Sequence, residues 1–256
     1  MQGNGSHGNR LTTLASLLLL LPLLLVSTLS GAAPRRAAPQ AAKPSGAAFP
    51  LREGTYWVYQ AVVRWGTADS SAPHEKLMEW KMEVDRVIHR GSVLAAVVKG
   101  FPRDLDGSHG DTKPAESLII ESGRTKFYWI PPASFKTALA QIENPKNSLG
   151  SLTTGDNIFL DLPLAQGKKF CNMTGMIRTD GFYCWMAEEP EAAQLNGVKG
   201  LPSGDLTAFP VHFFTADNAT SFDFVPGVGI TRYSYQVHGT VTDTELHLVE
   251  FHPGSR

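Results

Sequence analysis

The sequence predicts a mainly β protein: a curved antiparallel sheet or half-barrel, a β-meander, with one short α-helix near residues 135–143. Three observations carry this. Aromatic and β-branched residues gather in short runs broken by Gly, Pro, Asn and Asp. One segment alone has a helical period, with Phe135, Ala138, Leu139 and Ile142 at i, i+3, i+4 and i+7. Several runs are apolar on both alternating faces, and in RYSYQV the residues Tyr233, Tyr235 and Val237 share one face. That pattern fits a sheet covered on both sides, or one curled enough to enclose its inner face.

The chain opens with a leader. Arg10 is the sole charged side chain in residues 1–33, residues 17–26 are apolar, and Ser30-Gly31-Ala32-Ala33 offers small residues to a peptidase. Residues 1–33 therefore read as a secretory signal peptide cut after Ala32 or Ala33. The alternative is a retained membrane anchor, but ten helical residues reach about 15 Å, half of a roughly 30 Å hydrocarbon core. Residues 34–48, PRRAAPQAAKPSGAA, are too poor in large apolar side chains to offset the entropy of ordering, and read as a disordered linker. A single β-rich domain is expected over 49–256.

Strands follow in order: TYWVYQAVVRW; KMEVDRVIH and SVLAAVVKGF about an Arg90-Gly91 turn; ESLIIES and RTKFYWI about Gly123. The helix comes next, with Ser134 placed to cap it and Asn144-Pro145 to stop it. Beyond a polar connection lie IFLDL, KKFCNM, GFYCWMA, DLTAFPVHFFT, TSFDFV, and a C-terminal hairpin of GITRYSYQVH and TELHLVEF.

Pro50-Leu51-Arg52-Glu53-Gly54-Thr55-Tyr56-Trp57 has an echo in Pro163-Leu164-Ala165-Gln166-Gly167-Lys168-Lys169-Phe170. Matching ends at Ile130-Pro131 and Val225-Pro226 suggest two related meanders, 50–131 and 163–226. Pro-Leu-x-x-Gly is also simply a good turn before a strand, because Pro presets φ and Gly tolerates positive φ. Neither reading gives the unit a nucleophile or a base.

Cys171 and Cys184 are the two cysteines, and in an oxidising compartment they are expected to pair. A tight hairpin on Asp180-Gly181 would hold them about 20 Å apart. The bond therefore requires residues 172–183 to form a loop in which Asp180-Gly181 turns locally. Asp104-Leu105-Asp106-Gly107-Ser108-His109-Gly110-Asp111 lacks the glycine and glutamate positions of a calcium loop and reads as a solvated acidic turn. His247 and His252 fall on opposite faces of one strand, so no metal is assigned. Gly227 and Gly229 suggest a tight bend. Trp57, Trp80, Trp129, Trp185, Tyr233 and Tyr235 lie on strands that a curved sheet could gather into an apolar ligand pocket, or that could be plain core.

No motif for catalysis or for a cofactor appears, and none is assigned; a dispersed catalytic site stays open. Without the leader, the formal charge is −2, which supports no nucleic-acid partner. No span beyond the leader is long enough to cross a membrane.

The segment Phe49 to Tyr59, Phe-Pro-Leu-x-x-Gly-x-x-Trp-Val-Tyr, and the segment Phe224 to Tyr233 resemble parts of uncharacterised secreted bacterial proteins and lipoproteins. The resemblance implies a curved antiparallel sheet, a half-barrel like that of periplasmic lipoprotein carriers. The lipidation Cys of the lipoprotein members is missing here. The expectation is a secreted or periplasmic binding or envelope-accessory module. Its expected partner is an apolar or amphipathic small molecule, or an envelope component, on the concave face. The rivals are a secreted hydrolase with a dispersed site, which would gather His212, His238 or His247 with Asp or Glu, and a purely structural partner-binding domain.

Overall fold

The computed structural model describes residues 48–66, 72–171 and 180–254. The expected signal peptide and all but the last residue of the expected linker lie outside that range. The strands are β1 (Tyr56–Trp65), β2 (His74–Arg90), β3 (Val93–Lys99), β4 (Glu116–Ser122), β5 (Lys126–Ile130), β6 (Ile158–Asp161), β7 (Lys169–Cys171), β8 (Cys184–Ala187), β9 (Glu191–Ala192), β10 (Thr207–Phe214), β11 (Asn218–Val225), β12 (Gly229–Val237) and β13 (Asp243–His252). One helix, α1 (Phe135–Glu143), separates β5 from β6.

The hydrogen-bonded order is β6-β5-β4-β3-β2-β1-β13-β12-β11-β10-β8-β7, with β9 on β10. The chain thus starts in the middle of the sheet, meanders out to β6, crosses to β7 and meanders back to pair β13 with β1. Accumulated twist curls the sheet past a half-barrel, until it is nearly closed. Its two ends, β6 and β7, meet at a seam without a ladder. Side chains bridge that region: Trp185 Nε1 donates to Ile158 O at 3.0 Å, and Lys168 Nζ holds Asp161 O at 2.6 Å and Pro163 O at 3.0 Å.

Register puts one set of side chains inside. Trp57 lies opposite Met82 and Phe251, and Tyr59 lies opposite Trp80 and Leu248. Farther round, Tyr233 faces Leu246 and Phe222, and Trp185 faces Phe213 and Phe170. In β4 both faces are buried, because α1 packs Phe135, Ala138 and Ile142 against the sheet beside β2 and β4. The helix spans the predicted residues, but Ser134 makes no side-chain cap; a 3-10 turn, Pro132–Ser134, leads in instead. Pro145 disfavours the α conformation at Asn144, whose ψ is 110°.

The Pro-Leu-x-x-Gly echo shares three backbone hydrogen bonds, while the Arg52 N to Pro50 O bond of the first unit has no counterpart in the second among the described residues. Thr55 N donates to Arg52 O, Gly54 N to Val84 O, and Val84 N to Thr55 O. In the second unit Lys168 N donates to Ala165 O, Gly167 N to Ala187 O, and Ala187 N to Lys168 O. Gly54 and Gly167 have φ of 77° and 76°, and Leu51 and Leu164 are both buried. The two closing motifs sit differently: Ile130 ends the fifth strand of its half, whereas Val225 ends the fourth strand along the sheet path of the other.

Candidate functional site

The inside of the barrel is completed by the β3–β4 connection, residues 100–115, not by strands alone. Gly100 turns this segment inward with φ 78°, and its carbonyl accepts Trp80 Nε1 at 2.8 Å. The segment then drives Phe101 and Leu105, 1% and 0% exposed, into the interior. Phe101 stacks on Trp129 and meets Phe159 edge-on. Two bonds tie the segment to strands far away in sequence: Thr244 Oγ1 donates to Leu105 O at 3.0 Å, and Tyr233 Oη donates to Asp106 Oδ1 at 2.5 Å.

The acidic stretch from Asp104 is therefore not the solvated turn that its composition suggested. Leu105 is an apolar anchor between two aspartates, and it draws both towards the interior. Asp106 keeps 17% of its side chain exposed and is held by Tyr233 and by Arg103 Nε at 3.3 Å. Asp104 Oδ2 accepts Ala115 N at 2.9 Å, while its Oδ1 is covered and has no hydrogen-bond partner among the described residues. Burial raises both carboxyls to about 6; the Ala115 bond pulls Asp104 back, and Arg103 and Tyr233 pull Asp106 back. Burial, reinforced by the Asp106 charge, pushes Tyr233 well above the usual phenol value and raises Tyr235 as well.

The six aromatic residues singled out in the sequence go to interior strand positions with different tasks. Trp57 Nε1 donates to Val228 O at 2.6 Å, Trp80 to Gly100, Trp185 to Ile158 and Tyr233 to Asp106. Trp129 differs. Its Nε1 is covered without a partner among the described residues, and the Arg103 guanidinium carbon lies 4.6 Å from its ring centroid. Tyr235 is half-buried near Asp106 and Arg103. Arg103, Asp104, Asp106, Trp129, Tyr233 and Tyr235 thus form a polar end to an aromatic interior. The sequence signal for it was Phe101 and Leu105 at i and i+4 around a proline.

Elsewhere, Cys171 and Cys184 face each other on β7 and β8 and are joined by a disulfide. Phe182 N bonds Asp180 Oδ1 and Gly181 has φ 82°, a local turn beside the cysteines; residues 172–179 lie outside the described range. Gly227 and Gly229, with φ of 83° and 107°, make the β11–β12 bend, in which Val228 N donates to Val225 O, and a Cβ at Gly229 would lie 2.7 Å from the Phe49 ring. His212 Nδ1 pairs with Glu188 at 3.1 Å, and burial lowers its affinity for a proton. Its Nε2 is covered without a partner among the described residues, and Ser221, opposite on β11, bonds Ser234 instead. His247 pairs with Glu245 at 2.9 Å, and His238 bonds the carbonyl of Ala216. Among the described residues no three of His, Cys, Asp and Glu converge as a metal site.

No protein-family model and no curated protein matches the chain. Two solved structures align with it. One is a Bacteroides fragilis protein described as exported, with a YmcC-like fold; it is 14% identical, with a TM-score of 0.35 over 80% of this chain and 98% of that one. The other is a Parabacteroides distasonis protein described as a lipoprotein, 13% identical, with a TM-score of 0.31 over 80% of this chain and 97% of that one.

Proposed function

We propose that this chain works outside the cytoplasm as a binding protein, holding an apolar or amphipathic ligand inside its barrel. The reading rests on how the interior is closed: a plug of Phe101 and Leu105 from a connecting segment, not strand residues, fills the aromatic interior, and a ligand would have to displace them. A ligand's apolar chain could replace those side chains at little net change in buried apolar area. The leader-like residues 1–33 and the Cys171–Cys184 bond support an oxidising, exported location.

Native mass spectrometry of the mature chain, purified from an oxidising compartment, tests this. Extra mass that is lost on denaturation, or saturable one-to-one binding of the neutral amphipath N-phenyl-1-naphthylamine, is expected. A chain that arrives empty and binds no such probe overturns the reading.

A hydrolase is the second reading, favoured by the Glu188–His212 pair facing Ser221. It requires His212 Nε2 to take the Ser221 proton, and the Ser221–Ser234 bond must first break. Ester hydrolysis that survives Ser221→Ala would end it.

A further inference from the structure

Resting on the binding-protein reading, we infer that the polar end of the interior takes the cationic head of an amphipathic ligand, an ammonium on an apolar chain, in the place now held by Arg103. The first ground is the seat itself. The Arg103 guanidinium lies over the face of Trp129, 4.6 Å from its centroid, with Asp106 3.3 Å from Nε. An aromatic face beside a carboxylate attracts a cation, here one whose side chain stays 31% exposed. Arg103 meets that description as an internal occupant.

The second ground is the mismatch that remains with Arg103 in place. The guanidinium pairs with Asp106, while Asp104, which feels the Asp106 charge, keeps its Oδ1 covered with no hydrogen-bond partner among the described residues. A covered acceptor left unmet is a standing cost to the fold. An ammonium brings three donors on a compact charge, so it can reach an acceptor that a planar guanidinium anchored elsewhere does not. An anionic head would meet two carboxylates, and a neutral head would leave their charge unanswered.

The third ground is the shape of the plug. Phe101 and Leu105 enter the interior, while Arg103 between them reaches the polar end. The segment is itself a cation flanked by apolar groups, so it presents to the barrel the kind of molecule the barrel would accept. Asp106 from the same segment and Tyr233 and Tyr235 from β12 lie about Arg103, and Asp104 lies beside Asp106. The two tyrosines stay neutral over the relevant range, so the two carboxyls set the charge of the seat. Both lie near 6, and a cation preference should fade as they are protonated.

The test uses the mature chain and three surfactants with the same twelve-carbon tail: dodecylammonium, dodecyl sulfate and dodecyl maltoside. Each is titrated below its micellar concentration by calorimetry at pH 7.5 and pH 5. We expect one-to-one binding of dodecylammonium at least tenfold tighter than either of the others at pH 7.5, with the preference lost at pH 5. Arg103→Ala should tighten ammonium binding several-fold, and Asp106→Asn should remove the preference while keeping binding of the maltoside. Arg103→Gln serves if Arg103→Ala fails to fold by circular dichroism, and the pH 5 titration of the wild type serves if Asp106→Asn does. Equal or tighter binding of the sulfate or the maltoside overturns the cationic head and leaves the binding reading standing. Binding of none of the three, by the wild type or by Arg103→Ala, overturns the binding reading itself. Unsaturable binding of many surfactant molecules counts against both.

Discussion

Tyr233 and Asp106, 127 positions apart, share a 2.5 Å hydrogen bond that fastens the β3–β4 segment to β12. Tyr233→Phe deletes the donor and leaves the carboxylate with Arg103 as its remaining side-chain partner. A loss of about 1–3 kcal/mol at pH 7.5 is expected, since a largely buried acceptor is left short of a partner. The loss should shrink at pH 4.5, where Asp106 is neutral. Urea unfolding at the two pH values measures both numbers. Equal losses would mean that the phenol acts through packing and not through the carboxylate.

The same carboxyl sets a pH dependence whose sign is opposite to that of most aspartates. Asp106 is raised from 3.8 to about 6 in the folded chain, because burial outweighs Arg103 and Tyr233. Between those values the folded state holds more protons than the unfolded state. Its contribution is therefore full below about pH 4 and is lost as the pH rises through 6. Asp106→Asn, fixed in the neutral form, should gain about 1–3 kcal/mol relative to wild type on going from pH 4.5 to pH 7.5. Asp104→Asn should shift in the same direction and by a similar amount, because burial raises Asp104 to about 6 as well. A wild type whose stability climbs over that window with a slope unchanged in either variant would contradict the burial of the pair.

Two glycines with the same backbone angle should differ sharply when changed to alanine. Gly54 has φ 77° and open space where a Cβ would point; Gly100 has φ 78°, and its Cβ would lie 2.2 Å from Lys81 O. Gly54→Ala pays the left-handed penalty alone, about 1–2 kcal/mol. Gly100→Ala adds a clash with fixed backbone and should lose about 2–5 kcal/mol in all. It should also loosen the plug, raising amide exchange at Leu105 more than in β1. Similar losses at the two positions would mean that the segment does not turn inward at Gly100.

What could be read in the sequence follows from range. The strands were legible because alternation and turn residues act locally, and α1 because its period is local too. The first half of β2 was not, since Glu75, Lys76 and Glu79 disguise a strand whose inner positions hold Met78 and Trp80. The polar site was legible only in pieces. Trp129, Tyr233 and Tyr235 were visible as aromatic residues on strands, whereas Asp104 and Asp106 looked solvated. Their burial depends on Tyr233, 127 positions away, and on Thr244, 139 positions from Leu105, and no local pattern reports such partners.

The Pro-Leu-x-x-Gly turn can be tested as one unit used twice. Its two copies share three backbone hydrogen bonds and a buried leucine, while both x positions are exposed. The anchor should therefore matter and the x residues should not. Leu51→Ala and Leu164→Ala should each cost about 2–5 kcal/mol, the usual range for emptying a packed leucine site. Replacing Arg52-Glu53 by Ala-Gln, which copies the second turn into the first, should change stability by less than about 0.5 kcal/mol. The copies should part company in how damage spreads. Leu51 precedes β1, which pairs on both sides with β2 and β13, so its loss should raise amide exchange through the middle of the sheet. Leu164 sits in the turn across the seam, where β6 and β7 have one ladder partner each, so its loss should be felt there first. Exchange rising equally at Leu160 and at Tyr59 in both leucine variants would show that the seam is not a separate weak edge. A large cost from the Ala-Gln exchange would show that the two turns are not one unit.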